Sequence, residues 1–212
     1  MPLPFTPQEM LAIVVGASFA AGLNVYATVA VLGLLARADL FTLPPSLHLV
    51  QAWPTIAAAI ALFIIEFVAD KIPAFDLIWN ALQTFVRVPV AGLLAYGATA
   101  QLSPGAQLAS AVLASAIAFA AHGGKTAIRA AVTPSPEPLS NIGLSLTEDA
   151  LAIGLVWFAT VHPYAAAAIV AILLVLLIIV VRMISKSLRA LFHGARAQWQ
   201  KLMLSLDSGA VD

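Results

Sequence analysis

Three groups of polar residues interrupt otherwise apolar stretches of this chain, and their types and spacing suit the binding of ions or small charged solutes. Glu66 and Asp70 lie one helical turn apart. His122, Lys125 and Arg129 fall within about 60° of one another at 100° per residue, so they share one helix face. Asn141, Ser145 and Glu148 recur at helical spacing, with Asp149 one turn beyond Ser145. Carboxylates of this kind would bind a proton or a cation, and Lys125 and Arg129 would meet anionic groups. Two further positions extend the set. Asn24 sits with Thr28 on an uncharged polar face in the middle of the first apolar run. Arg87 stands midway along another run, beside Pro89, which should kink that helix. An arginine at such depth needs a carboxylate or carbonyl partner.

The composition says what must hold these residues. The 212-residue chain is 62% hydrophobic and only 9% charged, with a mean hydropathy of +1.00. A soluble domain carries about 25% charged residues, so this chain cannot cover a water-facing surface. A net charge of +0 provides no basic face for nucleic acid. The absence of cysteine excludes disulfides and thiolate metal sites. The opening residues, Met1 to Pro7, lack a basic region before the apolar run and are not expected to form a cleavable signal.

Crossing ~30 Å of hydrocarbon takes about 20 apolar residues. Six stretches meet that requirement: Met10–Ala36, Trp53–Asp70, Phe75–Ala98, Gln107–Val132, Ser140–Val161 and Tyr164–Val181. The expected fold is all-α and polytopic, with six transmembrane helices in residues 1–185 and an amphipathic tail over 186–212. The basic residues Arg182, Lys186, Arg189, Arg196 and Lys201 all follow the last span, which places the C-terminus in the cytoplasm. Six spans then place the N-terminus there too. Lys71, Lys125 and Arg129 fall on the same side, and only Arg37 falls outside.

Each polar group also has a plainer reading. A helix starting near Leu47 would carry Glu66 and Asp70 to the inner interface. A start at Trp53 puts Glu66 about 18 Å further along, still inside the bilayer. Lys125 and Arg129 could snorkel to headgroups, and His122 could be a hydrogen-bonded packing residue. Ser145 and Glu148 match a capping box at a helix start. Glu66, Asp70, His122, Glu148 and Asp149 are the candidate metal ligands if the site is metallic, although no familiar ligand spacing is present.

Division near Leu102 gives two runs of three spans, 10–98 and 106–182. Because three is odd, equivalent halves would be inserted in opposite directions. Gly22 in the first span and Gly123-Gly124 in the fourth then correspond, and glycine-interrupted helices in inverted halves point to a transporter-type site. Spans one and four are expected to pack at these glycines.

Certain motifs resemble a family of small bacterial integral-membrane proteins known only as a domain of unknown function. They are Gly22-Leu-Asn24-Val-Tyr26, Trp53-Pro54, Glu66-Phe-Val-Ala-Asp70-Lys-Ile-Pro73, Asp76, Gln83-Thr-Phe-Val-Arg87, His122 with Lys125 and Arg129, Ser135-Pro136, Asn141 and Ser145-Leu-Thr-Glu148-Asp149. The resemblance implies a multi-pass protein of the bacterial inner membrane and supplies no activity. A looser similarity is to the lysine-exporter-like superfamily of three-plus-three inverted-repeat exporters, of whose paired acidic motif only Gly124-Lys125-Thr126 is present in order. The leading functional expectation is a secondary transporter, an exporter or exchanger of a small polar or ionic solute, coupled to a proton or cation. The alternatives are a membrane-embedded enzyme acting on a lipid headgroup or prenyl phosphate, and a non-transporting assembly or lipid-flipping component. The expected partners are the lipid bilayer, the solute or ion, and a second copy of the chain if it forms a homo-oligomer.

Overall fold

A run of apolar residues without an amphipathic stripe belongs in the centre of a bundle, because no face of it prefers water or lipid. Pro7–Leu23 is such a run, and it forms α1, the hub against which α4, α5, α6 and α7 pack. The computed structural model describes the backbone of residues 5–70, 73–132 and 138–208, and the side chains of all of these except 73–77, 130–132, 138–141, 187–188 and 190–208. The elements are α1 (Pro7–Leu23), α2 (Val25–Arg37), a short 3-10 segment (Pro45–Gln51), α3 (Trp53–Ala69), α4 (Pro73–Ala98), α5 (Pro104–Val132), α6 (Pro138–Val161) and α7 (Pro163–Ser208). No strand occurs among the described residues.

The surface is inverted relative to a soluble protein. Phe85, Leu93, Leu108, Val112, Trp157, Ile172 and Val175 are exposed, while Asn24, Glu66, Arg87, Lys125 and Ser145 are buried. That distribution suits a lipid environment. Segments within α4, α5, α6 and α7 are long and apolar enough to cross a bilayer: Ile78–Ala98, Pro104–Arg129, Ile142–Val161 and Pro163–Lys186. The 3-10 segment and α3 qualify together as a fifth span, bent by 58° where they meet. α3 therefore starts at Trp53 rather than near Leu47, and Glu66 lies deep along it.

The first expected span is not a single crossing. The stretch Met10–Ala36 breaks at Asn24 into α1 and α2, of 17 and 13 residues, or about 25 and 20 Å at 1.5 Å per residue. Were they collinear, Phe5 and Phe41 would stand about 50 Å apart by the same rise; their rings lie 5.3 Å from centroid to centroid. α1 and α2 thus fold into a hairpin. Its open end packs on Leu47 and on Ala95 and Ala98 near the end of α4, and its tip lies among α4, α5 and α6. Asn24 causes the turn. Its backbone is extended (φ −152°, ψ 103°), and its side chain caps α2 by accepting from the Ala27 amide at 2.9 Å, an arrangement a collinear helix cannot make.

The hairpin changes two expectations. Among the described residues, six spans become at most five plus a hairpin, and the start of α1 lies at the end of the bundle opposite the far end of α7. α7 begins against Gly16 of α1 through Ala166 and reaches Gly124 of α5 through Leu177. The three-plus-three inverted repeat does not emerge either, because the first half contains a hairpin where the second has the continuous α5. The amphipathic tail expected over 186–212 is helical through Ser208, as part of α7, which runs unbroken for 46 residues.

Candidate functional site

The break at Asn24 exposes the last carbonyls of α1, which have no intrahelical partner and form the negative end of the helix dipole. Two cationic side chains meet them. Arg87 Nη1 donates to the Gly22 and Leu23 carbonyls at 2.9 and 2.7 Å, and Lys125 Nζ donates to Leu23 at 3.3 Å. Gly22 makes this approach possible. A Cβ there would strike the Ala118 backbone and Ala121 of α5, so the glycine lets the tip of α1 lie directly on α5.

Arg87 is the largest fully buried side chain among the described residues. Its Nη2 forms an ion pair with Glu66 Oε1, and its Nη1 lies 3.0 Å from His122 Nδ1. A guanidinium has only donors, so Nδ1 of His122 accepts. Nε2 then carries the hydrogen and donates to the Asn80 carbonyl and to Thr84 Oγ1, both at 2.9 Å. His122 is therefore a neutral imidazole in this arrangement.

Lys125 stands at the centre of the carboxylates. Its Nζ lies 3.1 Å from Asp70 Oδ2, 3.2 Å from Glu148 Oε2 and 3.7 Å from Glu66 Oε1. Arg129 closes the far side, with Nη2 at 3.0 Å from Asp70 Oδ2 and 2.6 Å from Glu148 Oε2. Its Nη1 also donates to the Asp70 carbonyl at 3.3 Å. Asn24 Nδ2 donates to Asp149 Oδ1 at 2.9 Å, linking the hairpin tip to α6. Every one of these groups is buried. Removing so many charges from water is offset only by mutual pairing and by hydrogen bonds that fill the remaining valences.

Of the candidate residues, the structure brings together Asn24, Glu66, Asp70, Arg87, His122, Lys125, Arg129, Glu148 and Asp149. Ser145 is buried on α6 one turn before Asp149. Since α6 starts at Pro138, Ser145 and Glu148 are interior to the helix and form no capping box. The side chain of Asn141 lies outside the described residues, as do Lys71 and the side chain of Asp76. The expected glycine hinges are corrected in part. The break comes at Asn24, two residues after Gly22, whereas α5 is continuous through Gly123 and Gly124. Gly22 packs against Ala118 and Ala121 rather than the paired glycines; a Cβ on Gly124 would strike Leu177 of α7, and one on Gly123 would stand in open space. Pro89 likewise lies inside a continuous α4.

Among the described residues, no group of three or more His, Asp and Glu side chains is arranged to hold a metal ion. Glu66, Asp70 and Glu148 are instead paired with Arg87, Lys125 and Arg129, and Asp149 with the Asn24 amide. Asn80, Gln83 and Thr84 were not among the site candidates. Asn80 and Thr84 hold His122, and Gln83 donates to the Tyr26 hydroxyl at 3.0 Å. Their signal was present: Asn80, Gln83, Thr84 and Arg87 form a polar stripe at helical spacing along α4.

Comparison with curated proteins and with solved structures gives no match, and none of these findings carries the looser likeness to the lysine-exporter-like superfamily. A family model does match, over residues 11–183, almost the whole helical bundle that holds the charge network. The chain belongs to the family described as a domain of unknown function, DUF4126.

Proposed function

We propose that this is a secondary transporter of the bacterial inner membrane, an exporter or exchanger of a small polar or ionic solute, with its C-terminus in the cytoplasm. The observation that carries the reading is the broken helix at Asn24. Main-chain carbonyls without a helical partner are tolerated at membrane depth only where protein or a polar cavity receives them, and transporters use such breaks to bind ions and solutes. Here the carbonyls of Gly22 and Leu23 are received by Arg87 and Lys125. Those cations are shared with Glu66, Asp70 and Glu148. An anionic solute would compete with these carboxylates for Lys125 and Arg129, and a cationic one would compete with the cations for the carboxylates. Exchange of partners, rather than creation of new charge, is the chemistry such a site favours.

The test is solute-dependent charge movement in proteoliposomes, recorded on a solid-supported membrane with a panel of amino acids, organic acids, amines and inorganic ions. A current from one class in the wild type, lost in Glu66→Gln, supports transport. No response from any class, together with turnover of an added lipid substrate, would replace the reading with the enzymatic one.

A further inference from the structure

Asp149 differs from the other acids of the network because it faces no base in ion-pair contact among the described residues. Glu66 is held by Arg87, while Asp70 and Glu148 are held by both Lys125 and Arg129. Asp149 has only the neutral amide of Asn24, at Oδ1. Among the described residues its Oδ2 is buried without a hydrogen-bond partner, and so is the hydroxyl of Ser145, one turn earlier on the same face of α6. Asp149 and Ser145 are 5% and 0% exposed.

The surroundings do not supply the missing charge. Asp70 from α3, Lys125 from α5 and the adjacent Glu148 act on Asp149. Lys125 is already shared by Asp70, Glu148 and Glu66, and Arg129 by Asp70 and Glu148. Asn24, at the junction of α1 and α2, brings no charge, and Glu66 of α3 adds a further negative one. With His122 neutral, four carboxyl groups face three cations among the described residues. One negative charge is in surplus there, among buried side chains.

We infer that Asp149 is a proton-binding site and carries its proton on Oδ2, directed at the Ser145 hydroxyl directly or through one water. A single hydrogen on Oδ2 removes the surplus charge and gives both orphaned oxygens a partner. Dissociation is a plain acid–base step. The carboxylic acid loses H⁺ to water, and the carboxylate keeps the Asn24 amide as its donor. Because Asn24 Oδ1 also caps α2, the charge on Asp149 acts directly on the tip of the hairpin. This inference rests on the transport reading only in naming the coupled ion: the species exchanged against solute is a proton.

Infrared spectroscopy of the purified protein, without solute, decides the matter. At neutral pH the wild type should show a carboxylic-acid C=O band that shifts on ¹³C-aspartate labelling and disappears in Asp149→Asn. The same band should persist in Ser145→Ala at a higher frequency, having lost its acceptor. If Asp149→Asn does not fold, the label and Ser145→Ala still decide. Absence of a protonated aspartate at neutral pH would overturn the assignment, as would a band indifferent to both substitutions. Loss of the band when sodium replaces choline at fixed pH would assign the site to sodium and overturn it equally. Since no solute is present, failure of the transport reading leaves this measurement standing, and flux without the band would retire the proton alone.

Discussion

Replacing Glu66 with leucine tests whether the buried network is held by pairing. Arg87 would lose the only carboxylate in ion-pair contact with it among the described residues and keep the Gly22 and Leu23 carbonyls at 2.9 and 2.7 Å. Lys125 would lose its longest contact, 3.7 Å, and keep Asp70 and Glu148 at 3.1 and 3.2 Å. The damage therefore falls on Arg87. Two charges about 4 Å apart interact by about 4 kcal/mol at an effective dielectric of 20, and breaking a buried pair costs about 3–5 kcal/mol. Relief of repulsion between Glu66 and Asp70 returns part of this, so Glu66→Leu should destabilise by about 3 kcal/mol. Glu66→Gln keeps an acceptor for Arg87 and should cost about 1–2 kcal/mol, as expected for a weakened buried hydrogen bond. Arg87→Leu added to Glu66→Leu should cost about 2 kcal/mol less than the two singles summed, within the range measured for directly contacting residues. Reversible unfolding in mixed micelles, followed by tryptophan fluorescence, reads the wild type and all four variants. If Glu66→Leu stays within about 1 kcal/mol of wild type, or the two singles simply add, pairing does not hold this site and the argument from burial is wrong.

Three more expectations follow from the same geometry. A cysteine at Thr6 should react with an impermeant reagent from the same side as cysteines at Ser46 and Gln107, and one at Ser205 from the opposite side; labelling of Thr6 with Ser205 would mean that α1 and α2 cross as one span. Asn24→Ala should remove the cap of α2, worth about 1 kcal/mol, and abolish solute-driven current, whereas unchanged current would detach the hairpin tip from function. Gly22→Val should lower the unfolding midpoint sharply because its side chain meets Ala118 and Ala121, whereas Gly123→Ala, with open space around it, should raise stability by up to about 1 kcal/mol through helix propensity.

The charges were legible in the sequence because each breaks a strong apolar pattern. Glu66, Lys125 and Arg129 could be placed in depth by counting residues from the ends of their spans. Their partners were not legible, since pairing between helices depends on rotation and tilt, which no spacing within one helix records. Arg87 clearly needed an anion, but only the fold shows that Glu66 provides it. The hairpin was hidden for a different reason. A single asparagine in a mostly apolar run of 27 residues, Met10–Ala36, can hydrogen-bond within a continuous helix or cap a new one, and local sequence does not separate the two. What tips the balance is distant: Asp149 takes the amide, while Arg87 and Lys125 take the carbonyls. Gly123-Gly124 misled in the opposite sense, because glycine permits a break without requiring one, and the contact of Gly124 with Leu177 needs a small residue in an unbroken helix.

The folded-back α1 and α2 also constrain how the protein is made. They are synthesised first, yet the groups that satisfy their tip come later: Arg87 on α4, Lys125 on α5 and Asp149 on α6. Until those arrive, a bent tip in hydrocarbon would leave carbonyls unpaired at a cost of several kcal/mol each. A straight Pro7–Arg37 segment avoids that cost and is long enough to cross. A nascent chain in that state would hold a topology that the folded structure lacks, and α1 and α2 would double back once α6 is in place. Biogenesis of this bundle then ends at its beginning, and chains truncated before α6 should keep the N-terminal segment on the opposite side of the membrane from the full-length protein.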